Sequence, residues 1–84
     1  MTHAFILYST SACHLCEQAT EILKALQSHD FRWQEIDISD EDLLLNRYGS
    51  RIPVLRHTSS GLELNWPFGR NDVISLLNST ASQG

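Results

Sequence analysis

The sequence lacks the features of a membrane, secreted or nucleic-acid-binding protein. No apolar run approaches the roughly 20 residues that span a bilayer, so no membrane partner is expected. The opening stretch, with Ala4 to Leu7 as its apolar part, has no basic region before it and is too short for a secretory signal. The expected compartment is therefore the cytoplasm. Lys and Arg number only six against ten Asp and Glu, a formal charge of -4. Those six (Lys24, Arg32, Arg47, Arg51, Arg56, Arg70) are scattered, and no cluster exists to neutralise phosphates. Nucleic acid is excluded as a partner on that ground. Cysteine is scarce as well, with two residues and no second pair to complete a four-ligand zinc site. There is no internal repeat and no interior low-complexity segment.

What remains is one small domain of 84 residues, 42% of them apolar. That size is near the limit at which a hydrophobic core suffices alone. Ala4–Tyr8 is a short apolar run of strand length. Ser9, Thr10 and Ser11 end it and offer hydroxyls for a helix cap. Leu15, Ala19, Ile22, Leu23 and Leu26 then form one apolar stripe at helical spacing, closed by His29-Asp30. Phe31–Ile38 reads as a second strand, with Trp33 and Ile36 as its large apolar residues. Ser39 is placed to cap a short helix whose Leu44, Leu45 and Tyr48 face inward and which Gly49 ends. Ile52–His57 and Leu62–Trp66, joined by Ser59-Ser60-Gly61, predict an antiparallel hairpin. Asn71 can cap a last helix carrying Val73, Ile74, Leu76 and Leu77. The order is β-α-β-α-β-β-α, an α/β fold whose first two strands run parallel and whose helices cover both sheet faces. Residues 1–78 form the domain; the small, polar residues 79–84 read as a flexible tail.

Cys13-His14-Leu15-Cys16 is the most informative feature. The pair sits where a strand gives way to a helix, close enough to form a disulfide. Free backbone N–H groups and the helix dipole stabilise a thiolate at Cys13 and lower its pKa from ~8.5 to roughly 3.5–7.5. Cys16, one turn inward, is less exposed and less acidic, which suits an attacking thiol and a resolving thiol. Two bland readings stand beside this one: half of a zinc site, or two inert core residues. His14 has two readings too. As imidazolium it stabilises the Cys13 thiolate; as a neutral exposed side chain it does nothing. Pro53 is either an ordinary edge-strand proline or the partner in a cis Ile52–Pro53 bond, which would leave the Ile52 backbone to pair with an extended substrate.

Tyr8-Ser9-Thr10-Ser11-Ala12-Cys13-His14-Leu15-Cys16, then Glu35-Ile36-Asp37-Ile38, then Arg51-Ile52-Pro53-Val54-Leu55 resembles a glutaredoxin. The likeness is strongest to the compact bacterial glutaredoxin-like proteins, whose ending Asn65-Trp66-Pro67-Phe68 also resembles. It covers about residues 4–78 in order and spacing. The resemblance implies a thioredoxin-type fold with strand order 2-1-3-4. It makes Cys13 the nucleophile, Cys16 the resolving thiol and Pro53 a cis-proline beside them. It also implies a substrate surface of His14, Ile52, Pro53, Trp66, Asn71 and Asp72. Glutaredoxins usually have Pro and an aromatic between the cysteines and a Gly-Gly-x-Asp-type segment before the last helix; here stand His14-Leu15 and Trp66-Pro67-Phe68-Gly69. Trp66 and Phe68 are expected to fill part of the groove, leaving Asn71 and Asp72 as a weak carboxylate site. The expected activity is thiol–disulfide exchange on protein or small-molecule disulfides by a monomer, with no cofactor required. Glutathione, weakly bound, or a thioredoxin-type protein would be the reductant. The alternatives are an iron–sulfur or metal-binding module and a non-catalytic redox-sensing domain.

Overall fold

The computed structural model describes residues 3–11, 13–27 and 31–81. Ala12, the expected helix closure at His29-Asp30 and the last three residues lie outside the described residues. The elements are β1 (His3–Ser9), α1 (His14–Leu26), β2 (Phe31–Asp37), a 3-10 turn (Ile38–Asp40), α2 (Asp42–Tyr48), β3 (Val54–His57), β4 (Glu63–Asn65) and α3 (Arg70–Ala81). They form one four-stranded sheet in the order β2-β1-β3-β4. β1 and β2 run parallel, with Phe5 opposite Trp33. β3 is antiparallel to β1, with Leu55 opposite Leu7, and β4 is antiparallel to β3. This is a thioredoxin-type α/β fold with a mixed sheet: the element order implied the α/β class, and the resemblance implied the thioredoxin type and the strand order.

The period-two alternation of β1 builds two cores. Phe5 and Leu7 point to one face and pack with Ala19 and Leu23 of α1, Leu55, Phe68 and Val73 of α3. Ile6 and Tyr8 point to the other face, where Ile38, Tyr48 and Val54 complete a second cluster. Phe31 meets Phe5 edge-on, ring centroids 5.3 Å apart, and Tyr8 stacks on Tyr48 at 4.2 Å. So α1 and α3 cover one face and α2 the other.

Several local expectations are corrected. Ser9, Thr10 and Ser11 do not cap α1; Cys13 does. Ser39 does not cap α2. It sits in the 3-10 turn, bonded to Asp37, and α2 starts from Glu41 with no side-chain cap. Leu15 and Leu45 are exposed rather than packed, at 43% and 42%. α2 is only seven residues long, so its inward face has room for little beyond Tyr48 and half-buried Leu44. Gly49 does end α2, but in a right-handed conformation (φ -51°). A Cβ there would lie 2.5 Å from the Leu45 carbonyl oxygen, so close approach rather than left-handed backbone calls for glycine. Gly61 in the hairpin turn does have positive φ, 78°. Asn71 is not the cap of α3; that helix starts at Arg70. α3 also runs through Ser79 and Thr80 to Ala81, with Thr80 buried and its hydroxyl bonded to the Leu76 and Leu77 carbonyls.

Candidate functional site

β1 delivers the chain to the cysteine pair. Its last residue, Ser9, is buried and donates a hydrogen bond to Glu35 of β2 at 2.7 Å. At the end of β2, the Asp37 carboxylate accepts bonds from the Ser39 N–H (2.9 Å) and hydroxyl (2.6 Å). Thr10 and the Ser11 backbone bond to the same carboxylate, tying the loop before Cys13 to the sheet. The Ser39 bonds above all, with these, hold Asp37 below the usual carboxylate range.

Cys13 is the N-cap of α1, with extended φ/ψ of -98° and 107°. Its Sγ accepts the Cys16 N–H at 3.2 Å, and its carbonyl accepts the Glu17 N–H at 3.2 Å. A thiolate at that position would face the first-turn N–H groups, which have no partner inside the helix. Cys13 and Cys16 lie at disulfide distance and are bonded, Cα atoms 5.2 Å apart. Cys13 is half-buried and Cys16 is 3% exposed, so an outside reagent meets Cys13 first. His14 points to solvent beside Glu17 at 3.6 Å, both side chains largely exposed.

Pro53 is buried and follows a cis Ile52–Pro53 bond; Trp66–Pro67 is cis as well. The Ile52 N–H donates to the Tyr48 carbonyl at 3.1 Å. Only part of the Ile52 backbone is therefore open to a substrate, contrary to the sequence expectation. A groove of about 470 Å³ runs beside this loop, lined by Leu15, Ser50, Arg51, Ile52, Asn65 and Trp66. It joins a residue from between the two cysteines to the residue before the cis-proline. Of the residues expected on the substrate surface, Ile52 and Trp66 line it. His14, Asn71 and Asp72 do not, and Phe68 lies in the main core instead of the groove. Asp72 is engaged by its own helix: its Oδ2 accepts the Gly69 N–H at 2.7 Å, half of a capping box.

The groove's polar wall was missed in the sequence. The Arg51 Nη2 donates to Glu63 at 2.7 Å and to Asn65 at 3.0 Å. Tyr48 donates its hydroxyl to the other Glu63 oxygen at 2.6 Å. Burial first, then the bond to Glu63, pushes the Tyr48 phenol up to about 12. For Glu63 burial acts upward, but the bonds from Tyr48 and Arg51 outweigh it and hold the carboxyl below its ordinary value. Arg51, directly before Ile52 in an acidic chain, is the one sequence signal that could have found this wall.

Among the described residues no three His, Cys, Asp or Glu side chains are grouped to hold a metal ion. No helix among them is long and apolar enough to cross a membrane.

The model of the family described as glutaredoxin-like domain (DUF836) matches residues 4–78. No curated protein matches the chain. Among solved structures, the X. campestris structural-genomics target XcR50 is 37% identical over 89% of this chain and 96% of its own, TM-score 0.77. Protein Ne2328 of Nitrosomonas europaea is 31% identical over 90% of this chain and 91% of its own, TM-score 0.74. A malarial protein at 14% identity and TM-score 0.69, covering 94% of this chain and 97% of its own, shares the fold.

Proposed function

The chain belongs to the glutaredoxin-like domain (DUF836) family, and from that premise we propose that it is a thiol–disulfide oxidoreductase. The Cys13 thiolate attacks one sulfur of a substrate disulfide. A Cys13–substrate bond forms, the substrate S–S bond breaks, and the other half leaves as a thiolate that takes a proton from water. Cys16, once deprotonated, attacks Cys13 Sγ and releases the second half as a thiol. Two electrons have then passed to the substrate, and the Cys13–Cys16 disulfide remains for an external thiol to reduce. The thiols supply the electrons, so no cofactor is required.

The observation that carries this reading is the asymmetry of the pair: Cys13 caps α1 with its sulfur on a backbone N–H, while Cys16 is 3% exposed. Two inert core cysteines would both be buried, whereas Cys13 is half-buried. Glutathione fits as a weakly bound reductant. Pro67 has no N–H to offer a carboxylate, and Asp72 already accepts the Gly69 N–H.

The test is alkylation of the reduced protein near neutral pH. Cys13 should be labelled well before Cys16, with a profile centred below ~8.5. Cys13→Ser should abolish exchange, and Cys16→Ser should trap a mixed disulfide that nothing resolves. First labelling at Cys16, or no mixed disulfide with any substrate, would overturn the proposal.

A further inference from the structure

The groove that runs from Leu15, between the two cysteines, to Ile52 has a guanidinium in its wall that the exchange reaction itself does not need. Two of the six basic residues, Arg47 and Arg51, meet at the Tyr48 ring. Arg51 is bonded to Glu63, and Arg47 lies over the Tyr48 ring at 5.6 Å. Tyr48, with its phenol at about 12, stays neutral.

Of the two arginines, Arg51 lines the groove. Its guanidinium is held in place rather than waving in solvent. Nη2 is fixed by Glu63 and Asn65, and the guanidinium carbon lies 5.2 Å from the centroid of the Tyr48 ring. Nη1 makes one long bond, 3.5 Å to the Arg47 carbonyl, so its donors are available to a ligand. A preoriented guanidinium loses little entropy on binding and matches a carboxylate in shape. Across the groove, Leu15, Ile52 and Trp66 offer apolar surface.

We propose that Arg51 selects the substrate: the preferred disulfide is carried by a peptide segment with an Asp or Glu close to its cysteine. This rests on the oxidoreductase reading above. An acidic peptide is favoured over glutathione because glutathione brings two carboxylates and an ammonium group. The start of α3, the second place for a carboxylate, is engaged by Asp72. One carboxylate beside an apolar contact is what the groove accommodates. In the step itself, Cys13 thiolate displaces one peptide thiolate from the peptide disulfide and keeps the other half as a mixed disulfide.

The experiment follows mixed-disulfide formation on Cys16→Ser protein with two symmetric peptide disulfides. They are identical except for Glu or Gln after the cysteine; glutathione disulfide is the third probe. The Glu peptide should react about 3- to 10-fold faster, the range of a charge-assisted bond at a half-exposed site. The ratio should shrink as salt rises. Adding Arg51→Gln should bring it close to one. Adding Arg51→Lys, which keeps the charge and loses the fork, should leave part of it; thermal melts show that both variants fold. Equal rates for the Glu and Gln peptides would overturn the inference and leave the oxidoreductase reading standing. Glutathione disulfide reacting as fast as the Glu peptide, with the same dependence on Arg51, would overturn the choice of an acidic peptide. Failure of every disulfide to form the adduct would overturn the oxidoreductase reading and the inference with it.

Discussion

Replacing Tyr48 by Phe removes one oxygen and keeps the ring, so the stack on Tyr8 at 4.2 Å and the 1% exposure of the side chain need not change. What is lost is the 2.6 Å bond to Glu63. A hydrogen bond to a charged acceptor contributes roughly 1.5–3 kcal/mol. Two facts reduce that here. Glu63 keeps its 2.7 Å partner Arg51, and its side chain is 17% exposed, so water can replace the lost donor. The expected cost at pH 7 is about 1–2 kcal/mol, a fall in Tm of roughly 4–16 °C for a domain of this size. The pH dependence separates this cause from a packing defect. Glu63 has its folded pKa depressed, so its contribution is present above the unfolded value of ~4.3 and is lost as pH falls through the folded value. Removing the Tyr48 hydroxyl raises the folded value towards the unfolded one. The gap between wild type and Tyr48→Phe should therefore narrow between about pH 5 and pH 3. Urea unfolding at both pH values measures it. A penalty below ~0.5 kcal/mol at pH 7, or one that is unchanged at pH 3, would refute the reasoning.

Three further changes have expected outcomes. His14→Ala should move stability by no more than ~0.5 kcal/mol and the reduction potential by less than about 15 mV, since His14 and Glu17 form only an exposed pair; a redox titration giving a larger shift would place the imidazole on the Cys13 sulfur. Asp37→Asn should lower stability at neutral pH and flatten the acid limb of the pH–stability curve, because the depressed carboxyl contributes above its unfolded value of ~3.9 and loses that contribution as pH falls through its folded value. Asp72→Ala removes the acceptor of the Gly69 N–H and should cost about 0.5–2 kcal/mol in a thermal melt, the range for a lost helix cap.

The fold was legible because its signals were periodic or chemically unambiguous. The stripe Ala19, Ile22, Leu23, Leu26 could only be an amphipathic helix, and β1 needed two buried faces because helices precede and follow its partners. The caps were not legible. Ser39 and Asn71 are good cap formers, yet Glu41 precedes α2 and Asp72 acts from inside α3. A cap depends on where the preceding loop leaves the chain, which composition does not reveal. Leu15 was misread for a related reason. It continues the apolar stripe, but it sits on the first turn of α1, beyond the reach of the core, and lines the groove. Arg51 and Asn65 escaped because they are 14 residues apart, Arg51 before β3 and Asn65 at the end of β4, and meet only through the hairpin.

The position of the cysteine pair also bears on whether it is a staple or a reagent. A bridge between residues three apart closes a very short loop, for which chain entropy gives about 2 kcal/mol at most. Neither core depends on it: Cys13 belongs to no buried cluster, and the aromatic packing of Phe5, Phe31, Tyr8 and Tyr48 lies elsewhere. The surroundings of the sulfur act in the opposite direction. In the oxidised form Cys13 Sγ accepts the Cys16 N–H as a neutral, weak acceptor. On reduction the same N–H, with the helix dipole behind it, faces a thiolate, and the bond becomes charge-assisted. The start of α1 therefore stabilises the reduced state more than the oxidised one and makes the disulfide a better oxidant than an unconstrained pair. A site that gains little from forming its bridge and more from opening it supports the proposed exchange. On that balance the couple should poise at roughly -270 to -200 mV. A value below about -300 mV, measured against glutathione or dithiothreitol buffers, would instead mark a structural disulfide and contradict the role given to the α1 terminus.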